Sequence, residues 1–78
     1  MPIALILINT EPAAMVEVLK EVKAVEGVEE AEMLYGVYDI VARVNVDTLD
    51  KLKNIIAYQI RRINRVVSTQ TLLFIRPK

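Results

Sequence analysis

The chain has 78 residues, ten basic side chains against ten acidic ones, 54% hydrophobic residues and neither cysteine nor histidine. That length accommodates one small domain, spanning 1–78, and a domain of this size hides only about 60% of its unfolded surface, so the apolar excess calls for a cover. The missing residue types exclude a disulfide scaffold, the usual zinc sites, thiol catalysis and imidazole acid–base chemistry, so the chain reads as a non-enzyme with no cofactor and no metal.

Ile3 to Ile8 is an unbroken apolar run closed by Asn9-Thr10-Glu11-Pro12, which suits a central strand apolar on both faces. Thr10 is placed to cap a helix with Pro12 in its first turn. Met15, Val18, Leu19, Val22 and Val25 then recur at helical spacing opposite Glu17, Lys20 and Glu21. Gly27 is expected as a left-handed stop. Val28 to Tyr35 reads as a strand with one wet side, Gly36 as a hairpin glycine, and Tyr38 to Val46 as a β-branched strand. Its even positions are apolar from Ile40 onward, and Arg43 and Asn45 face the other way.

Asp47 is the expected N-cap of a second helix, with Asp50 three residues on and a stripe of Leu49, Leu52, Ile56, Ile60 and Ile63. Asn64 is expected to stop it. Val66 to Ile75 closes the chain as a strand with Val67, Thr69, Thr71, Leu73 and Ile75 on one side and Ser68, Gln70, Leu72 and Phe74 on the other. The order βαββαβ predicts an α+β, ferredoxin-like fold, a four-stranded antiparallel sheet with both helices on one face. The opposite face is then bare and apolar, which predicts obligatory association with another copy, sheet to sheet.

Residues 1–39 carry eight acids and two lysines, a net of −6, and residues 40–78 carry the mirror image, +6. Such halves pair internally, are merely solvated, or present complementary faces to other copies. Overall neutrality argues against direct nucleic-acid binding, as does a sheet whose central strands offer no aromatic but Tyr38. The opening MPIALILINT lacks a basic leader region and is too short to span a membrane, so a cytoplasmic location is expected.

The stretch Leu34-Tyr35-Gly36-Val37-Tyr38-Asp39 admits two readings. In the first it is a hairpin whose Gly36 supplies φ > 0 and whose Asp39 bonds nearby amides. In the second, free N–H groups around Gly36 hold a carboxylate while Asp39 accepts from an ammonium, the two charged handles of an amino acid. Ser68, Thr69 and Thr71 are either β-favouring residues or hydroxyls that complete such a site. Arg61, Arg62 and Arg65 read as a solvated helix end, and Tyr58 as surface packing.

Together with the topology, the Leu34–Ile40 stretch, the strand ending Val44-Asn45-Val46, the isoleucines at 56, 60 and 63 and the closing Val66-Val67-Ser68-Thr69-Gln70-Thr71 resemble the effector (RAM) domain of the Lrp/AsnC transcription regulators along essentially the whole chain. The resemblance implies a dimeric α+β barrel, dimers assembled into octamers or decamers, and amino-acid effectors held between dimers. It implies an effector loop at Tyr35, Gly36, Val37, Tyr38 and Asp39, with Thr69 and Thr71 matching the family's strand threonines and Ser68 beside them. The family's DNA-binding helix-turn-helix is missing, so the resemblance implies a stand-alone effector domain that acts alone or by joining full-length relatives. Arg65 stands where the family has a glycine, leaving Asn64 as the expected left-handed residue.

Two other readings remain open. An ACT-type amino-acid sensor shares the strand order and would bind its ligand around residues 9–12. A cofactor-free dimeric α+β-barrel enzyme would enclose Tyr38, Asp39 or Arg43 in a polar cavity between sheets.

Overall fold

The computed structural model describes residues 3–74. Its elements are β1 (Ile3–Thr10), α1 (Met15–Lys23), β2 (Val28–Met33), β3 (Ile40–Asn45), α2 (Leu49–Asn54) with a π-helical continuation (Ile55–Ile60), and β4 (Val66–Leu73). The four strands form one sheet in the order β2-β3-β1-β4, and every neighbouring pair is antiparallel. This is the expected ferredoxin-like βαββαβ arrangement. The last residue of the expected final strand, Ile75, lies outside the described residues.

Alternation decides which side chains enter the core. Ala4, Ile6 and Ile8 of β1 and Ile40, Ala42 and Val44 of β3 are fully buried against Val18 and Val22 of α1 and Leu52, Ile55 and Ile60 of the second helical segment. Their odd-numbered neighbours, Leu5, Leu7, Val41 and Arg43, lie on the opposite face, which no helix covers. β4 adds Ser68, Gln70 and Leu72 to that open face through its pairing with Asn9, Leu7 and Leu5, and β2 adds Glu30 and Glu32. The open face is therefore apolar along β1 and charged toward β2, where Arg43 Nε lies 3.3 Å from Glu29 Oε1.

Local chemistry departs from the expectations at five places. Thr10 does not cap α1. The helix begins after Ala14 without a side-chain cap, because Glu11 to Ala14 form a separate tight turn, with the Ala14 N–H donating to the Glu11 carbonyl at 3.1 Å. The N-cap of α2 is Thr48, whose hydroxyl accepts from the Lys51 N–H at 3.2 Å, and Asp47 instead pairs with Lys51 Nζ at 3.0 Å. The second helix is not α-helical to its end. Ile55 and Ile60 are both buried, and five residues of α-helix would leave them about 140° apart on the surface. Winding with five-residue hydrogen bonds, such as Arg61 N–H to the Ile56 carbonyl at 3.0 Å, brings both onto the sheet, so Ile55 takes the core position expected of Ile56, and Leu49 stays 49% exposed. In the turn before β4 the left-handed residue is Arg65, with φ 75°, rather than Asn64. A register shift at the start of β4 pairs Thr10 with Val66, so Val66 and not Val67 joins the face of Thr69 and Thr71.

Candidate functional site at the end of β1

The loop residues, Asp39 and Ser68 lie where β1 ends and β3 and β4 begin, while Thr69 and Thr71 follow on the other side of β4. Met33 pairs with Ile40, so residues 34–39 form an open loop rather than a two-residue turn. The Leu34 N–H donates to the Asp39 carbonyl at 2.8 Å and closes it. That geometry removes the need for a left-handed glycine. Gly36 has no positive φ, contrary to the turn reading, and nothing lies within 4 Å of where its Cβ would be. The N–H groups of Tyr35, Gly36, Val37 and Tyr38 donate to no group among the described residues. Tyr35 is 107% and Val37 85% exposed, so this row of donors stands open to whatever meets the loop.

Asp39 is anchored on both its backbone and its side chain. Its N–H donates to the Ile8 carbonyl at 3.0 Å, and its Oδ2 accepts from the Thr10 N–H at 2.9 Å and, more loosely, from the Thr10 hydroxyl at 3.4 Å. Oδ1 is left without a partner among these contacts. Asp39 thus bonds an amide, as the hairpin reading expected, although the amide lies 29 residues away in the chain. Next to Thr10, Asn9 Nδ2 donates to Ser68 Oγ at 3.4 Å, which draws Ser68 into the same corner on the open face. Thr69 and Thr71 belong to the helix-facing side of β4, paired with Ile8 and Ile6, and are half-buried there. The eight expected residues therefore divide into a loop with Ser68 on the open side and two threonines around the edge of β4.

Asn9 and Thr10 entered the sequence reading as the end of β1, as a helix cap at Thr10 and as the ligand turn of an ACT-type sensor, and their polar side chains at the end of an apolar run are the signal that adds them to this corner. Tyr58 and Arg61, Arg62 and Arg65 are exposed. A cleft of about 390 Å³ at the other end of β3, lined by Glu26, Gly27, Asn45, Asp47, Lys51 and Ile55 among others, contains none of the expected site residues. No group of three or more metal-ligating side chains occurs among the described residues, and no helix there is long and apolar enough to cross a membrane.

The family model for the Lrp/AsnC ligand binding domain matches residues 3–77. The chain belongs to the Lrp/AsnC family. Among solved structures, FFRP-DM1 superposes with a TM-score of 0.91 at 35% identity, covering 96% of this chain and 100% of its own. Escherichia coli AsnC gives a TM-score of 0.89 at 25% identity, with 97% of this chain covering 52% of AsnC, so the similarity spans about half of that regulator. The Mycobacterium tuberculosis feast or famine regulatory protein Rv3291c, solved with L-methionine, shares the fold at a TM-score of 0.82 and 19% identity, covering 99% of this chain and 52% of its own. No curated protein sequence matches the chain. Membership in the Lrp/AsnC family separates the chain from ACT-type sensors despite their common strand order.

Proposed function

We propose that the chain is a non-enzymatic, amino-acid-binding regulatory module. The observation that carries this reading is the exposed loop whose N–H groups, from Tyr35 through Gly36 and Val37 to Tyr38, donate to nothing among the described residues, beside a carboxylate bonded through only one oxygen. Amides of this kind suit an α-carboxylate, and the free Asp39 Oδ1 suits the neighbouring ammonium. Ser68 completes the hydrogen bonds from the open face, and Thr69 and Thr71 do so from around the edge of β4. L-methionine in the mycobacterial relative supports an amino acid as the ligand class.

The full exposure of Tyr35 and Val37 supports a site finished by a neighbouring subunit. Subunits pair through the open sheet face, where Leu72 and Phe74 are each 46% exposed, and the pairs assemble into octamers or decamers. Ligand and assembly are then linked, because a molecule held between pairs stabilises the form that contains its site. In the cytoplasm the module acts by joining full-length Lrp/AsnC regulators in mixed assemblies and biasing their oligomeric state.

A thermal-shift scan against the twenty amino acids tests this, with Asp39→Asn as the paired variant. Asparagine keeps an oxygen for the Thr10 N–H and loses only the negative charge, so the variant should fold as the wild type does. At one hundred times its dissociation constant a ligand adds about 2.7 kcal/mol, a shift on the order of 10 °C for a domain this small. A shift for one or a few amino acids, lost in Asp39→Asn, supports the reading. Flat wild-type curves would overturn it in favour of an assembly module without an amino-acid ligand.

A further inference from the structure

Two tight turns meet at the end of β1. In Glu11–Ala14 the Ala14 N–H donates to the Glu11 carbonyl at 3.1 Å, and Ala13 has φ 68°. In Ile63–Val66 the Val66 N–H donates to the Ile63 carbonyl at 3.2 Å, and Arg65 has φ 75°. A positive φ at the third residue alone is the type II arrangement, which favours glycine there. The second turn instead holds an arginine, the longest cationic side chain, in the conformation that suits it least. A strained residue beside a binding site is a reason to look for a use of its side chain.

Its surroundings point to that use. Consecutive amides at the end of β1 grip the two charged residues: the Thr10 N–H donates to Asp39 Oδ2 at 2.9 Å and the Glu11 N–H donates to the Arg65 carbonyl at 2.9 Å. Asp39 precedes β3 and Arg65 precedes β4, the strands on either side of β1, and they stand opposite Asn9 and Glu11, so two strand spacings and a two-residue offset put their backbones about 12 Å apart. Arg65 is exposed, and no carboxylate lies within 4 Å of its guanidinium among the described residues. The ammonium acceptor and the loop amides stand on one side of β1, and an unpaired planar cation stands on the other.

We propose that Arg65 is a specificity-determining residue that takes a second, side-chain carboxylate, so that the ligand class is an acidic α-amino acid. This rests on the amino-acid reading above. The ligand's ammonium meets Asp39 Oδ1, its α-carboxylate meets the amides of Tyr35 to Tyr38, and its distal carboxylate reaches across the end of β1 to a guanidinium whose fork matches it. Asn9 lies on β1 between the two strands, with Ser68 of β4 beside it on the open face.

The test compares thermal shifts and calorimetric affinities for L-glutamate, L-aspartate, L-glutamine and L-asparagine on the wild type, Arg65→Gly and Arg65→Lys. Arg65→Gly suits the turn and should melt no lower than the wild type, so lost binding cannot be blamed on lost folding. The expected result is a preference for an acid over its amide of about tenfold or more in the wild type, abolished by Arg65→Gly and partly kept by Arg65→Lys. Equal wild-type affinity for acids and amides, or a preference that survives Arg65→Gly, overturns the role of Arg65 while leaving an amino-acid site in place. A wild type that responds to none of the twenty amino acids removes the site itself, and this inference with it.

Discussion

The two ends of the sheet solve the same backbone problem with opposite side chains. At one end Gly27 leads into β2 with φ 98°, and its carbonyl accepts from the Asn45 N–H at 3.0 Å. A Cβ there would lie 2.8 Å from Ile55 Cδ1 and 3.2 Å from Val46 Cγ1, so a side chain would have to displace the packed neighbours as well as adopt φ 98°. At the other end Ala13 and Arg65 take positive φ with their side chains exposed, and polar bonds from Thr10 and Glu11 hold the corner together. Where apolar packing closes over a turn, glycine is strongly favoured. Where the turn faces water beside a candidate site, a cost of roughly 1 kcal/mol for a side chain can be tolerated and the side chain put to use.

The sharpest way to break this contrast is Gly27→Ala. Left-handed strain and the 2.8 Å contact act together, and the expected loss is about 2 to 4 kcal/mol, a fall in melting temperature of roughly 10 °C or more. Adding Ile55→Val removes the Cδ1 atom that the new methyl meets. The double variant should then lose less than the sum of the two single losses, which a double-mutant cycle in urea would reveal as positive coupling. Strict additivity would mean that backbone conformation alone, and not packing, demands the glycine.

The polar corner should respond less, and in a different way. Asp39→Ala leaves the half-buried Thr10 N–H without its acceptor and is expected to cost about 1 to 2 kcal/mol, with the loss absent in Asp39→Asn. Hydrogen exchange at the Thr10 amide is the local readout, rising in the alanine variant and staying near wild type in the asparagine one. Faster exchange in both would show that the carboxylate charge, rather than an oxygen acceptor, holds the two loops together.

How much of this was legible beforehand follows from the range of each interaction. The strand pattern of β1 and β3 was readable because burial alternates with the chain itself, and Gly27 because a helix stripe ends just before it. The Thr48 cap was obscured by Asp47, an equally good capping residue one position earlier. The doublet Ile55-Ile56 left two possible stripes, and only contact with the sheet selected the π-helical one. Thr10 with Asp39 and Asn9 with Ser68 are 29 and 59 residues apart, so no local pattern announces them. Arg65 stands at a glycine position, but the length of the β2–β3 loop, which frees Gly36 from a positive φ, emerges only from the strand register.

Ala13 supplies the smallest and most discriminating test of the comparison. It shares with Arg65 the left-handed third position of a type II turn, and it is exposed, yet its methyl group offers a ligand nothing. Ala13→Gly should therefore raise stability by about 0.5 to 1 kcal/mol, the relief of φ 68° less the extra freedom glycine brings to the unfolded chain. Its response to amino acids should match that of the wild type. Since Arg65→Gly makes the same backbone change on the other side of Glu11, the pair separates conformation from chemistry: equal stability gains with the preference for an acid over its amide lost only at Arg65 would assign the difference to the guanidinium. If Ala13→Gly also abolished the response, rigidity of the corner rather than the charge of Arg65 would be what the ligand reads.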